Sequence, residues 1–365
     1  MNIFVDCHVF DGIFQGSRSY IKGLYSEIVK IAPDVHFYMA AYDIINLEKE
    51  FGKNSNVTYL KYKSTNKFYR LVFDIPSLIK KYKIDYAHFQ YILPLFKQCK
   101  EIVTIHDVLF LDYPQYFSWK YKILYNSLFK YAARRADLLL TVSEYSKNRI
   151  IKYYDVRRDE IYITPNGVCD NYHNQSPVTL ASPFILFVSR IEERKNHLGL
   201  IKAFVKTGLW QNGINLILAG RKSECVPSLD NYMTRLSQTI KQHIIFLSPS
   251  DEELRWLYAN CLFFVYPSFA EGFGIPPLEA AIMQRPVICA NTTAMQDFES
   301  LGFIMFSPAD IDDLSTKMIL LAKTKEDKRN LQLIATSIMK KYNWNSIATS
   351  YLKILSKHCL EINKS

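Results

Sequence analysis

The chain has 365 residues, 49% of them apolar, and a formal net charge of +10. That length exceeds a typical single domain and suits two, each burying its own core; the apolar content, with no low-complexity tract or internal repeat, excludes a disordered chain and a solenoid. No apolar run approaches the roughly 20 residues of a membrane-spanning helix, and seven scattered cysteines without a C-x-x-C pair point away from disulfide or cysteine-rich zinc frameworks and toward a reducing cytoplasm.

In chain order, Met1-Asn2-Ile3-Phe4-Val5-Asp6 enters a strand pattern directly, without the features of a signal peptide. Strand-like runs follow at 2–6, 35–39, 57–60, 85–89, 101–105, 137–142 and 160–164, and then at 184–189, 214–219, 243–247, 262–266, 286–290 and 303–306. Helical patterns separate them, the alternation of a parallel α/β architecture. Between the two series, Asn171-Tyr172-His173-Asn174-Gln175-Ser176-Pro177 runs polar and ends in proline, as linkers do. The expected organisation is therefore a domain over 1–170, a second over 183–340 and a closing helical segment over 341–365. Two doubly wound domains would face each other across a cleft, a default place for ligands.

The first series carries three features. The loop Asp11–Ser19, with Gly16, Ser17 and Arg18, follows the first strand and precedes a helix expected from about Tyr20. Ile102-Val103-Thr104-Ile105 delivers His106 and Asp107 at a strand terminus, Asp107 being suited to orient the histidine or to cap a turn. Residues 61–83 and 118–135 are basic and interleaved with aromatics, among them Phe68, Phe73, Trp119 and Tyr125. Such stretches fit an anionic membrane surface or a solvated helix with its aromatics in the core. No nucleic-acid module is recognised, and nucleic acid is not expected as a partner.

The second series carries the chemistry. Ser189-Arg190-Ile191-Glu192-Glu193-Arg194-Lys195-Asn196-His197 places cations at the carboxyl end of a buried strand, ahead of a helix over His197–Val205. Ala219-Gly220-Arg221-Lys222 ends the next strand. Glu271-Gly272-Phe273-Gly274-Ile275-Pro276-Pro277-Leu278-Glu279 brackets a glycine-bearing strand-to-helix loop with two carboxylates. Its glycines let backbone N–H groups approach a bound group, and a helix opening there near Pro277 favours a negative one. Glu279 is expected in the first helical turn. Asp310-Ile311-Asp312 has the look of a metal-binding D-x-D, but its setting reads as a helix start with acids in the first turn. With no H-x3-H or H-E-x-x-H pattern among eight histidines, no metal is expected.

The Glu271–Glu279 loop resembles the E-x7-E signature of family 4 retaining glycosyltransferases, which have the GT-B fold of two Rossmann-like domains, and Arg190 to Asn196 resembles that family's R-x4-K-N element. Pro165-Asn166-Gly167-Val168 and Tyr342-Asn343-Trp344-Asn345 resemble its hinge turn and its closing element, which returns to the N-terminal domain. The resemblance is to members of the polysaccharide and O-antigen mannosyltransferase kind. It implies that Arg190 and Lys195 hold the diphosphate of a nucleotide-sugar, with Gly220 and Arg221 nearby. Glu279 would hold the ribose and Glu271 would lie near the donor sugar, with Gly272, Phe273 and Gly274 supplying backbone contacts. His106 would touch the transferred sugar or the acceptor hydroxyl, and Gly16, Ser17, Arg18, Asp107 and Asn166 would line the acceptor or phosphate side. Departures occur at Gln284-Arg285-Pro286, at Ser189, where glycine is common, and at Met295-Gln296-Asp297.

The expectation is a retaining, metal-independent hexosyltransferase without a cofactor. It would use a GDP- or UDP-linked sugar and a lipid-linked glycan acceptor for a bacterial surface polysaccharide, in the cytoplasm or on the inner face of its membrane. The alternatives are a GT-B nucleotide-sugar epimerase or phosphorylase and, from another class, a non-catalytic glycan- or membrane-binding module.

Overall fold

The computed structural model describes residues 1–12, 16–168, 177–178, 183–221, 225–325 and 327–362. The proposed linker at 171–176, Ile13 to Gln15 of the first loop and Lys222 lie outside the described residues. The chain divides into two compact units, one of Met1–Gly167 with Tyr342–Ser365, the other of Val168–Lys341.

The first unit is built on seven parallel strands: β1 (Asn2–Asp6), β2 (His36–Ala41), β3 (Val57–Lys61), β4 (Tyr86–Gln90), β5 (Lys100–Thr104), β6 (Leu138–Thr141) and β7 (Ile161–Ile163). Their order is β3-β2-β1-β4-β5-β6-β7. Ile3-Phe4-Val5 and Leu138-Leu139-Leu140 are continuous buried apolar runs, as strands covered on both faces require. The helix Gly16–Ile31 buries Tyr20, Ile21, Leu24, Tyr25 and Ile28, the 3.6-residue stripe of a helix laid on a core. It starts before Tyr20, so Gly16, Ser17 and Arg18 stand on its first turn and not in a loop. Inward-facing Ser17 continues the buried stripe one turn further back, and Arg18 pairs with Glu50 at 2.8 Å and lies over the Phe10 ring.

The terminal helix Trp344–Ile362 packs against Gly16–Ile31. Its Trp344 indole lies against two glycines: a Cβ on Gly23 would fall 2.0 Å from Trp344 Cε2, and one on Gly167 2.6 Å from Cδ2. Tyr351, about two turns further on, reaches the Tyr25 hydroxyl at 3.3 Å.

The second unit holds β8 (Phe184–Val188), β9 (Asn215–Ala219), β10 (Ile244–Leu247), β11 (Phe264–Tyr266), β12 (Val287–Ala290) and β13 (Ile304–Phe306), in the order β10-β9-β8-β11-β12-β13. Each sheet therefore reverses its winding once, between β1 and β4 in the first unit and between β8 and β11 in the second. In open α/β sheets the crevice beyond the carboxyl ends of the strands at such a reversal is where ligands bind.

One local expectation changes and one holds. The helix after β11 begins at Ile275, because Gly274 at φ +99° makes the turn and Pro276 occupies an early position whose N–H has no helical partner. Glu279, half-buried, therefore stands beyond the first turn. Asp310, in contrast, is the N-cap expected: its Oδ1 accepts the Asp313 N–H at 2.8 Å at the head of Ile311–Lys323.

Candidate active site

In the second unit the two segments at the β8/β11 reversal meet. Asn196, at φ +59°, caps the helix His197–Thr207 by accepting the Gly199 N–H. Its amide also donates to Pro267 O at 3.1 Å and Pro308 O at 2.9 Å. One side chain thus ties the loop after β8 to the loop after β11. The result is that Lys195 Nζ lies 2.6 Å from Glu271 Oε1, and Arg194 NH1 lies 3.2 Å from Glu271 Oε2. Arg194 also reaches Glu192 at 3.3 Å and donates to the Ala270 carbonyl. Glu192 in turn pairs with exposed Arg190 at 2.8 Å. Arg190, Lys195 and Glu271 thereby join one network of three cations and two carboxylates, with a positive surplus suited to an anionic ligand.

Glu271 is buried, and burial alone would raise its pKa. The charges of Lys195 and Arg194, with the hydrogen bond from Lys195, outweigh it and hold the carboxyl at about 2. Burial, reinforced by Arg194, moves the Lys195 ammonium below its usual value although Glu271 opposes the change. Tyr266 donates to Glu271 Oε1 at 3.1 Å, and Thr293 Oγ1 accepts the Glu271 N–H at 2.9 Å. The carboxylate is therefore held by Lys195, Arg194 and Tyr266, and its backbone by Thr293. Glu279 receives the Tyr258 hydroxyl at 2.8 Å, and burial raises its pKa against that bond.

Glycine is required at two places. A Cβ on Gly274 would strain a left-handed residue and crowd Met295 and Phe298 at 3.3 and 3.2 Å. On Gly220 it would strike Ser189 O at 1.9 Å. Arg221 is exposed, and its carbonyl accepts the Ile191 N–H at 3.0 Å. Gly272 and Phe273 are buried in the Glu271 loop.

In the first unit His106 follows β5 and is buried. Its Nε2 lies 2.6 Å from Gln90 Oε1, and its ring meets Tyr20 edge-on at 5.0 Å. The Gln90 amide nitrogen donates to Phe89 O at 3.2 Å, which turns the amide oxygen toward the histidine. His106 Nε2 therefore carries the proton, and burial, which lowers its pKa to about 3, keeps the ring neutral. The remaining nitrogen, Nδ1, is an acceptor. Behind it runs a buried relay: His88 Nε2 to Thr104 Oγ1 at 2.8 Å, His88 Nδ1 to Tyr25 OH at 2.7 Å, and Tyr25 to Tyr351. Asp107 Oδ1 accepts the Leu109 N–H at 3.1 Å and so closes a turn. Asn166 is buried, with its Oδ1 unbonded. Sequence reasoning missed Arg194, Tyr266 and Gln90.

Each unit thus carries a polar cluster on a doubly wound sheet: a buried neutral histidine in the first and an ion network with surplus positive charge in the second. Residues 16–171 match the model of Glycosyltransferase Family 4 and residues 169–337 that of Glycosyl transferases group 1. The chain belongs to the family 4 glycosyltransferases. It is 27% identical over 308 residues to O-antigen chain mannosyltransferase B of Escherichia coli, covering 75% of this chain and 78% of that one. It is 30% identical over 220 residues to O-antigen chain mannosyltransferase RfbU of Salmonella typhimurium, covering 60% and 59%. Among solved structures, Anabaena Alr3699/HepE in complex with UDP-glucose aligns with a TM-score of 0.72 at 17% identity, covering 98% of this chain and all of that one, a likeness of fold.

Proposed function

We propose that the chain is a retaining hexosyltransferase that moves a sugar from a GDP- or UDP-linked donor to a lipid-linked glycan in the assembly of a surface polysaccharide. The observation that carries the reading is the Lys195–Glu271–Arg194 cluster at the β8/β11 reversal. A nucleoside diphosphate leaves readily only when its growing charge is neutralised, and preorganised cations do this without reorganising in the transition state. Lys195, Arg190 and Arg194 take that role. Glu271, kept ionised, accepts hydroxyls of the donor sugar, and Glu279 accepts those of the ribose. The departing diphosphate takes the acceptor's proton, so the same face of the sugar is used and neither a dedicated base nor a metal is needed. His106 Nδ1 accepts a hydroxyl of the transferred sugar or the acceptor.

The names of the O-antigen relatives and the UDP-glucose bound to HepE support the substrate classes. The membrane side rests on the first unit. Phe68, Phe73, Leu95, Phe96, Trp119 and Ile123 are exposed there. Their segments adjoin through Lys67 Nζ to Tyr125 OH at 3.3 Å and Tyr131 OH to Leu95 O at 3.2 Å. With neighbouring lysines this makes a basic, apolar surface suited to peripheral contact with an anionic bilayer on the cytoplasmic side; no described helix is long and apolar enough to cross one. Incubation with nucleotide-sugars and a lipid-linked acceptor in excess chelator tests the reading. An elongated glycan, free nucleoside diphosphate and a retained anomeric configuration are expected. An isomerised donor or a sugar phosphate as product refutes it.

A further inference from the structure

A cavity of about 280 Å³ opens in the first unit beyond the carboxyl ends of β1 and β3, away from His106's strand. Its wall includes His8, Asp11, Tyr62, Ser64, Thr65 and Arg70. Arg70 is more than nine-tenths buried, and its Nε has no hydrogen-bond acceptor; the nearest is Asp6 Oδ2 at 3.7 Å. Leaving that buried Nε without an acceptor is costly, and the Arg70 side chain lines the cavity. It opens a π-helical turn, Arg70–Asp74, in which Arg70, Leu71 and Asp74 all point inward. Single π-turns of this kind recur at functional sites.

The hydrogen-bonding capacity of the wall defines what the cavity accepts. Asp6 is committed internally: it takes the Tyr62 hydroxyl at 2.8 Å and the His8 N–H at 3.2 Å, and His8 Nδ1 lies 3.0 Å from its other oxygen. Asp11 is committed to the backbone N–H groups of Tyr42 and Asp43 at 2.8–3.0 Å. The groups left to a ligand are Arg70, the far edge of His8 and the hydroxyls of Ser64 and Thr65, donors chiefly, with a Tyr62 ring beside them. One arginine against two carboxylates gives no positive surplus, so a phosphate is poorly matched. Neutral hydroxyl oxygens are well matched. The volume of about 280 Å³ falls just below the roughly 300–1,000 Å³ of drug-sized ligand sites, room for a single sugar ring and little more.

We propose that this cavity binds one neutral sugar residue of the acceptor glycan, with Arg70 and His8 donating to its hydroxyls. The assignment to the acceptor rests on the transferase reading above; the sugar binding itself does not.

The test is saturation-transfer NMR on the full chain with a panel of methyl hexopyranosides, with inorganic phosphate as a separate arm and nucleotide-sugar binding followed in parallel. At least one glycoside is expected to bind, and Arg70→Met to weaken it about tenfold or more, the loss of one good hydrogen bond to a charged group, while nucleotide-sugar binding is unchanged. Because Arg70→Met leaves Asp6 without its cation and can unfold the unit, Thr65→Val and Ser64→Ala are read alongside and are expected to weaken the same glycoside. Glycoside binding indifferent to all three variants, no binding by any glycoside, or Arg70-dependent binding of phosphate in place of glycosides would each overturn the proposal. Loss of nucleotide-sugar binding with glycoside binding intact would instead overturn the transferase reading and leave the cavity a sugar site.

Discussion

Lys195 Nζ and Glu271 Oε1 stand 2.6 Å apart, both more than nine-tenths buried, on loops 76 positions apart in sequence. Removing one partner strands the other in a low-dielectric site, which costs about 3–5 kcal/mol, whereas replacing both by apolar groups is often neutral. Glu271→Met is therefore expected to destabilise the second unit by roughly that amount, and Glu271→Met combined with Lys195→Met to recover part of it, Arg194 still lacking Glu271 but keeping Glu192. Urea unfolding of the two variants and the wild type checks this. Equal destabilisation of the single and the double variant would mean that the pair is not coupled.

The neutral state of His106 depends on burial and that of His88 likewise, both being lowered from 6.5 to about 3. Between those values the unfolded chain binds protons that the folded chain refuses. Their contribution to stability is complete above pH 6.5 and lost as pH falls toward 3, by up to about 1.4 kcal/mol per pH unit for each histidine. Glu271 adds its own loss lower down, as pH falls from 4.5 through about 2. Urea midpoints should therefore drop between neutrality and about pH 5, and His88→Asn should flatten the decline.

Gln90 Oε1 accepts from His106 Nε2 and so orients the imidazole. Gln90→Glu puts a carboxylate where the amide oxygen sits, 2.6 Å from Nε2. It should raise the histidine's pKa, by about 1–3 units for an opposite charge at that range. The acid limb of kcat/KM is expected to move up accordingly, because the imidazolium no longer accepts at Nδ1. Gln90→Leu should lower kcat without that displacement. A pH–rate profile separates the two, and identical profiles for both variants would rule out a tautomer-setting role.

Gly23→Ala drives a methyl group to within 2.0 Å of Trp344 Cε2. Overpacking of this kind costs about 1–3 kcal/mol, and here the cost falls on the docking of Trp344–Ile362. Hydrogen exchange should report faster opening of that helix, and a smaller residue in Trp344→Leu should restore protection in the double variant.

Sedimentation with vesicles rich in anionic lipid tests the apolar, basic surface of the first unit. Trp119 and Ile123 are 64% and 66% exposed on one helix face. Replacing both with Ser should release the protein from vesicles, and raised salt should weaken binding by screening the lysines. Binding unaffected by either change would show that this surface is not the contact.

Much of the fold was legible because both sheets are parallel and buried: runs such as Phe184-Ile185-Leu186-Phe187 admit little else. Glu271, Lys195 and Asn196 stood out through the spacing that resembles family 4. Arg194 did not, since one more cation in Glu192-Glu193-Arg194-Lys195 has no mark until the loop closes on Ala270 and Glu271. Gln90 was hidden for a different reason. Its partner is set by the β4–β5 register, which places Gln90 opposite Thr104, two residues before His106; a polar residue ending the apolar strand Tyr86–Gln90 was the available signal. The helix start at Gly16 was obscured because two glycines and three serine or arginine positions read as loop chemistry.

The proposed function requires the cations beside Glu271 to hold the diphosphate of a nucleotide-sugar. Titration calorimetry of GDP- and UDP-linked hexoses against the wild type and Lys195→Met tests it most directly. One donor should bind the wild type, and the variant should lose about 10- to 150-fold in affinity, the equivalent of one charge-assisted hydrogen bond at roughly 1.5–3 kcal/mol. Equal affinity in a folded Lys195→Met protein, or no binding of any nucleotide-sugar by the wild type, would contradict it.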